Sequence, residues 1–561
     1  MNYLRLITTA FASLLLLTAC NEEGKLSLSE RSVIYCAEGS PEAFNPQLVT
    51  SPTTIDATSN QLYDRLISYS GNDNKLSPAL AKYWQVSLDG KEVTFYLRED
   101  VSFHHTDDFT PSRLLNADDV IFSFKRVLDT KHPYHFISGG HYPFFQKVGF
   151  RKLIHKIEKV NDHTVRFHLS HADSTFLANI ATDFAVILSA EYADQLTKQR
   201  AESNIDTHPI GTGPFKLKEY RVGSLIRFYR HDEYWQQPAQ IEQLVFDITP
   251  SNTGRLTKLL ANECDVVAYP IAHKKITERS DLSLEAVTAL NVSYLGFNTN
   301  KAPFNNKLVR QAISFAINKE KLIEAVYQGK AEKANSLLPK TSWAYDGSIS
   351  EQKYDPILAK QLLILAGYSH GFIMELWAMP TQVPYNPNAS TMAKIIQKDL
   401  SEIDIKVNIV SYQWSTFLHQ LKRDKHQSFL LGWSAEHPDP DNFFTPTLSC
   451  SAINTRSNAT LWCNQEYDAM IKKALQTTHI NQRKAYYAQA MAILTQEVPL
   501  IPIAHSKRYQ ARGNNVKGKI LAPFGGINFY QVSKTPIVRK KTIEPQSPLR
   551  IKSNIMNTGE N

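Results

Sequence analysis

Between Met374 and Ser434 the chain reads MELWAMP, TMAKIIQKDLSEI, IKVNIVSY, STFLHQLKR and SFLLGWS in succession. Short apolar, β-branched runs alternate with segments whose apolar residues recur at helical spacing. Strands joined through helices cannot pair as hairpins, and a right-handed crossover brings each one up parallel to the last. This stretch therefore predicts a parallel sheet covered by helices. In such sheets ligands bind in the crevice beyond the carboxyl ends of the strands. Two loops are placed there: GWSAEHPDPDNFF, after the strand that Gly432 and Trp433 close, and PTQVPYNPNAS, after the strand ending at Met379.

Upstream, NNKLVRQAISFAINKEKLIEAVYQG predicts one long amphipathic helix. Leu308, Ala312, Phe315 and Ala316 share a stripe that Leu322, Ile323 and Val326 continue, and Gly329 suits its C-terminal cap. DPILAKQLLILAGY predicts a second helix, stopped by Gly367. Before Asn291 the chain is richer in strands. VTFYLRED alternates Val93, Phe95 and Leu97 with polar partners, TVRFHLS repeats the pattern, and IGTGPFKLKEY with LIRFYRH predicts a hairpin. NADDVIFSFKRVLD predicts a helix capped by Asn116. At 561 residues the chain has room for two or three units. The reading is a strand-rich first lobe over residues 33–290 and 505–532, with an α/β second lobe inserted over residues 291–504.

The first twenty residues carry Arg5, an apolar run from Leu6 to Leu17 and the ending LTAC. The run is too short to span a bilayer comfortably and reads as a cleaved export signal. Its ending is similar to a bacterial lipobox, which implies a lipid on Cys20, a tether to a membrane and a location in the periplasm. Residues 21–32 read as a linker. Of five cysteines, Cys36, Cys264, Cys450 and Cys463 then remain in an oxidising compartment. Proximity favours Cys450–Cys463, and elimination leaves Cys36–Cys264. A zinc site is the rival, but no CxxC or HxxxH spacing accompanies these residues. Half of the formal net charge of +8 falls in a basic tail over residues 533–561, where Lys534, Arg539, Lys540, Lys541, Arg550 and Lys552 face Glu544 and Glu560. That tail suits a solvated, disordered end, with anionic lipid or nucleic acid as alternative partners.

No catalytic constellation emerges. The chain has no GxSxG elbow, HExxH helix or phosphate-binding loop. Gly211-x-Gly213 lacks a third glycine and precedes a strand. Asp439 and Asp441 flank Pro440 and read as turn and capping residues rather than as a hydrolase pair. His104, His105, Asp107 and Asp108 form a metal-like cluster on paper, but adjacent histidines on a strand point to opposite faces. The expectation is a binding protein, with no enzymatic activity, metal or cofactor.

Several segments carry a family resemblance. AKYWQVSLDGKEVTFYLREDVSFHHTDDF resembles the signature region of the bacterial oligopeptide- and dipeptide-type solute-binding proteins of ABC importers. VIYCAEGSPEAFNPQ, NADDVIFSFKR, IGTGPF, VRQAISFAINKEKLIEAVYQG, WAMP followed by PYNPN, and GW followed by DPDNFF are similar to their counterparts in the dipeptide- and haem-binding branch. GRLTKLLANECDV, TSWAYD and LAPFG are most similar to the branch serving transporters associated with resistance to cationic antimicrobial peptides. The likeness runs from about Val33 to about Val532. It implies a two-lobed periplasmic-binding-protein fold of class II, with a mixed α+β first lobe, a Rossmann-like second lobe and two hinge strands. It also implies a monomer that encloses an extended peptide and delivers it to an inner-membrane ABC permease with its ATPase subunits. The family's cysteine pairs match Cys36–Cys264 and Cys450–Cys463.

The resemblance places a ligand-ammonium carboxylate at Glu436, where dipeptide binders carry an aspartate. It places Val383 where they carry an arginine for the ligand carboxylate. A carboxylate buried without its guanidinium loses a charge-assisted bond, so the expected ligand is cationic or longer than a dipeptide. Tyr385, Trp414 and Trp433 beside Gly432 are candidate walls, and Thr50, Ser51 and Thr53 candidate polar contacts. Haem is the alternative ligand on the same fold, and polyanions such as nucleic acid the alternative partner of the basic surface.

Overall fold

The computed structural model describes residues 31–70, 75–349, 352–380 and 382–535. The export signal, Cys20, most of the linker and the tail beyond Thr535 lie outside the described residues. The described chain is built on two large sheets. One has seven strands, in the spatial order Leu282–Thr288, Lys507–Gly513, Val266–Ala268, Ser32–Ala37, Gln243–Ile248, Leu225–Arg230 and Phe215–Arg221. The other has six, in the order Glu332–Lys333, Leu500–His505, Asn291–Phe297, Ser428–Ser434, Phe372–Ala378 and Ile405–Val410. A four-stranded antiparallel sheet, containing Glu92–Leu97 and Thr164–Leu169, extends the first lobe. Its alternation buries Val93, Phe95 and Leu97 against helix Ala117–Leu128, where Asn116 and Asp119 form a capping box.

The expected parallel sheet holds for the stretch that predicts it and is corrected only for the second-lobe sheet as a whole, which is mixed. Phe372–Ala378 pairs parallel with Ile405–Val410 and with Ser428–Ser434. Asn291–Phe297, however, runs antiparallel to both Ser428–Ser434 and Leu500–His505. The parallel part is the segment whose strands are linked through helices Ala389–Ser401 and Trp414–Lys422; the two strands that enter and leave the lobe run the other way. The long helix is corrected too. It breaks into Lys307–Ala316 and Lys319–Tyr327, because Ile317 is extended and the Asn318 side chain accepts the Lys321 amide as the cap of the second piece. The buried Asp399 carboxylate accepts the Asn318 amide at 2.9 Å and holds the break in place.

The terminal boundaries also move. Ser32 already pairs with Gln243, so the first strand starts within the expected linker. Ser533–Lys534 pairs with Val516–Lys517, and the Lys534 ammonium reaches Asp265 at 2.9 Å. Lys534 is therefore a packed residue of the first lobe and not part of a free tail. Disulfides Cys36–Cys264 and Cys450–Cys463 are both present, with Cα separations of 5.9 and 4.6 Å. The first staples neighbouring parallel strands of the seven-stranded sheet.

The chain passes between the two sheets twice, at Ala289–Leu290 and at Ser506, since His505 still pairs within the six-stranded sheet. Asn291 clips the crossings together. Its amide donates to the Ser506 hydroxyl at 2.9 Å, its side-chain carbonyl accepts the Ser506 amide at 2.9 Å, and its backbone carbonyl meets the His505 ring at 2.6 Å. Asn291 and Ser506 are buried. Replacing Asn291 with Ala leaves the Ser506 amide without that acceptor, and is expected to lower stability by about 1–3 kcal/mol. The urea midpoint measures this; an unchanged midpoint would show that the rest of the clip suffices.

Candidate functional site

Glu436 lies just past the end of strand Ser428–Ser434, the central strand between the parallel and antiparallel parts of the sheet. Two features hold this strand end to its neighbours. The Ala435 amide donates to the Leu290 carbonyl at 2.8 Å, tying the Glu436 loop to the first crossing. Gly432 lies under the Tyr385 ring and beside the Val292 carbonyl, where an added Cβ would come within 2.2 Å of the ring and 2.5 Å of the oxygen. Only glycine allows the Tyr385 loop to lie this close.

A cavity of about 300 Å³, within the range of small-ligand sites, is walled by the first lobe, with Glu436 of the second lobe on its edge. Glu436 lines it from the second lobe. First-lobe groups on its wall include Tyr69, Asp64, Arg65 and Asp183, with the segment around Phe524. All three lining carboxylates have partners within the chain. Asp64 accepts bonds from Thr212, Tyr234 and Trp235 at 2.9–3.0 Å. Asp183 takes the Arg65 guanidinium at 2.8 Å and the Gly526 amide at 2.7 Å. Glu436 bonds the Lys147 ammonium through Oε1 and accepts the Asn442 side-chain amide through Oε2 at 3.1 Å.

Lys147 comes from the opposite lobe. It ends the short helix Pro143–Lys147, which the buried rings of Phe144 and Phe145 anchor in the first-lobe core. Its ammonium lies 4.7 Å from the centre of the Trp433 ring and 5.7 Å from that of Phe144. The Trp433 indole N–H donates to Asn442 at 3.0 Å, so carboxylate, ring and amide form one locked group. The lobes also touch where the Ser174 amide donates to the Leu475 carbonyl at 2.8 Å.

Behind Glu436 the acidic stretch is structural. Asp439 grips Arg483 through two bonds of 2.8 Å, and its Oδ1 accepts the Asp441 amide in a turn. Asp441 opens helix Asp441–Leu448 and accepts the Thr445 hydroxyl at 2.6 Å. Burial raises its carboxyl to about 7 and lowers the neighbouring His437 to about 4. His104 is likewise a core residue, with its ring against the Gly213 carbonyl and burial holding its pKa well down.

Of the residues singled out by sequence, Glu436 alone lines the cavity; Trp433 shares Asn442 with it, and Tyr385 packs on Gly432 away from that wall. The others are not brought to that wall. Val383 bridges to Asn386 and packs on the second-lobe core. Trp414 begins a helix and stacks on Phe417 at 5.6 Å. Ser51 and Thr53 lie at the start of helix Pro52–Thr58, with the Ser51 hydroxyl bonded to Thr54, and Thr50 is exposed. Lys147, Asp64, Arg65 and Asp183 gave no sequence signal. Their partners lie far along the chain, Lys147 and Glu436 being 289 residues apart.

The family model of the bacterial extracellular solute-binding proteins, family 5, matches residues 75–455. The chain belongs to this family. It is 43% identical over 511 residues to a dipeptide-binding protein of Escherichia coli (strain K12), covering 90% of this chain and 95% of that one. It is 39% identical over 519 residues to the peptide transport periplasmic protein SapA of Salmonella typhimurium, covering 92% and 94%. Among solved structures, the dipeptide-binding protein of Pseudoalteromonas sp. SM9913 in complex with Met-Leu superposes with a TM-score of 0.82 at 49% identity, covering 90% of this chain and all of that one. The two-lobed fold is thus that of the family 5 binding proteins.

The raised Asp441 carboxyl gives stability a pH dependence. Unfolded, an aspartate titrates near ~4. Between about pH 4 and about pH 7 the folded chain keeps a proton that the unfolded chain releases, so stability falls as pH rises through that window. His437 acts in the opposite sense: its folded pKa is depressed, so it adds stability as pH rises from about 4 towards its ordinary value. Asp441→Asn keeps the acceptor for Thr445 and cannot ionise. It is expected to raise the urea midpoint at pH 8, with the gain vanishing below about pH 4. A gain independent of pH would mean that Asp441 is ionised in the fold.

Proposed function

We propose that this chain is the solute-binding subunit of an ABC importer, which captures peptides between its lobes and hands them to a membrane permease. The cavity on the first lobe that Glu436 of the second lobe borders, with two crossings joining the lobes among the described residues, carries the reading. A guest bound there touches both lobes at once, so its binding energy bears directly on whether they stay shut. Membership of a solute-binding family and the peptide complexes among its relatives support the same assignment.

The length of the ligand follows from the resemblance at Val383. That side chain offers no positive charge for a peptide carboxylate, and it packs on apolar neighbours of the second lobe. A dipeptide held as the resemblance implies, with its carboxylate at Val383, would bury that charge without a guanidinium there, at a penalty of several kcal/mol. A longer peptide carries that charge elsewhere, and its backbone can bond to groups along the cleft. The proposed ligand is therefore a peptide longer than two residues. The proposed location is the periplasm, with lipid on Cys20 as the tether. Among the described residues no helix is long and apolar enough to cross a membrane.

Calorimetry with tetraalanine and dialanine tests this reading. Tetraalanine is expected to bind at least tenfold more tightly, about 1.4 kcal/mol. Equal or tighter binding of dialanine would overturn the length assignment. A haemin titration that shifts the Soret band, with no heat from either peptide, would transfer the cleft to the haem reading.

A further inference from the structure

We propose that Lys147 is a tethered counter-ion that occupies the ammonium position of the cleft, so that this protein does not select its peptides by a free amino terminus. The proposal rests on the peptide reading above and adds a specificity determinant to it.

Three observations converge on Lys147. First, Glu436 has no oxygen left over: Lys147 takes Oε1 and Asn442 takes Oε2. Second, the ammonium has the surroundings that a bound organic cation would need. The carboxylate lies on one side and the face of Trp433 on another, 4.7 Å away, with the side chains of Lys147 and Glu436 only 18% and 19% exposed. Third, the remaining carboxylates on the cavity wall, Asp64 and Asp183, are each held by donors of the chain. A peptide ammonium reaching Glu436 meets a carboxylate whose charge Lys147 already balances.

Displacement is unfavourable at Glu436 in particular. Lys147 is attached to the same molecule and held at its post by the buried Phe144 and Phe145, so it competes at high effective concentration. Pushing it aside would leave a half-buried ammonium without its carboxylate. An acetylated amino terminus, or the interior of a longer chain, faces no such competition. The ligand class that fits is a peptide segment with no free ammonium at this position.

Two measurements test the proposal on the full chain. The first is the ratio of dissociation constants for tetraalanine and N-acetyl-tetraalanine. The wild type is expected to bind the two within threefold of each other. Lys147→Gln frees the carboxylate and is expected to favour the free amine by at least tenfold. Lys147→Arg should keep the wild-type ratio, and Lys147→Gln with Glu436→Gln should lose the new preference. A wild type that already prefers the free amine tenfold, with no change in Lys147→Gln, would overturn the proposal. The second needs no peptide to bind: the rate of Lys147 acylation by acetic anhydride, read by mass spectrometry of the peptide-free protein. Glu436→Gln is expected to speed this reaction severalfold while leaving surface lysines unchanged. An unchanged Lys147 rate would show that the pair does not form in solution, whatever becomes of the peptide reading.

Discussion

The two crossings at Leu290 and Ser506 are the constraint on which the cleft depends, because the Glu436 loop, the Phe524 segment and the Tyr385 loop are hung from them. The Leu290 carbonyl accepts the Ala435 amide, one residue before Glu436. The Leu290 amide donates to Pro523, beside the Phe524 segment of the opposite wall. The Ser506 hydroxyl donates to the Pro384 carbonyl at 2.7 Å, one residue before the ring that covers Gly432. With Asn291 joining the two crossings, movement of one lobe against the other must carry the Glu436 loop, the Tyr385 loop and the Phe524 segment with it. A hinge of this kind absorbs rotation in a few backbone dihedrals while the sheets on either side stay rigid.

Charge between the lobes is handled by local neutralisation. A buried carboxylate without a partner is unfavourable by several kcal/mol, and the low dielectric between facing lobes strengthens whatever pair is made. Asp439 with Arg483, Asp183 with Arg65 and Glu436 with Lys147 are three such pairs. Only the last joins the two lobes. It is the one pair of the three whose geometry must change when the lobes part, so opening the cleft and exposing Glu436 are one event. The cation over Trp433 also answers why acidic groups lie among aromatics in this basic chain: the rings wall in the pair, while Asp439 and Asp441 build the loop behind it.

Much of the architecture was legible because it is written locally. Period-two runs such as VTFYL became strands, and Asn116 caps its helix as its position suggested. Cysteine arithmetic led to the observed disulfides. The failures are of one kind. The apolar stripe from Leu308 to Val326 runs straight through Ile317 and Asn318, so periodicity alone could not see that a distant carboxylate, Asp399, would hold the Asn318 amide and divide the helix. Nor could it give the direction of Asn291–Phe297, whose partners arrive more than a hundred residues later. The site shows the same division. The place of Glu436 just past a strand was legible, whereas Lys147 ends a short helix of the other lobe with no pattern around it.

The consequence for recognition concerns where specificity can come from once the charges are matched internally. A ligand in this cleft gains little from Coulomb attraction at Glu436 or Asp183, because each is already paired with a cation of the chain. What remains is backbone hydrogen bonding, contact with rings such as Tyr69, and the free energy of closing the lobes. Backbone bonding is blind to side-chain identity, and closure rewards any guest that spans the gap without straining the hinge. On the reading proposed above, selection is then made by length and fit rather than by terminal charge. The Lys147–Glu436 pair contributes to closure with or without a guest. The guest need only add enough contact to outweigh the loss of the water it displaces, which suits a protein that captures many peptides rather than one.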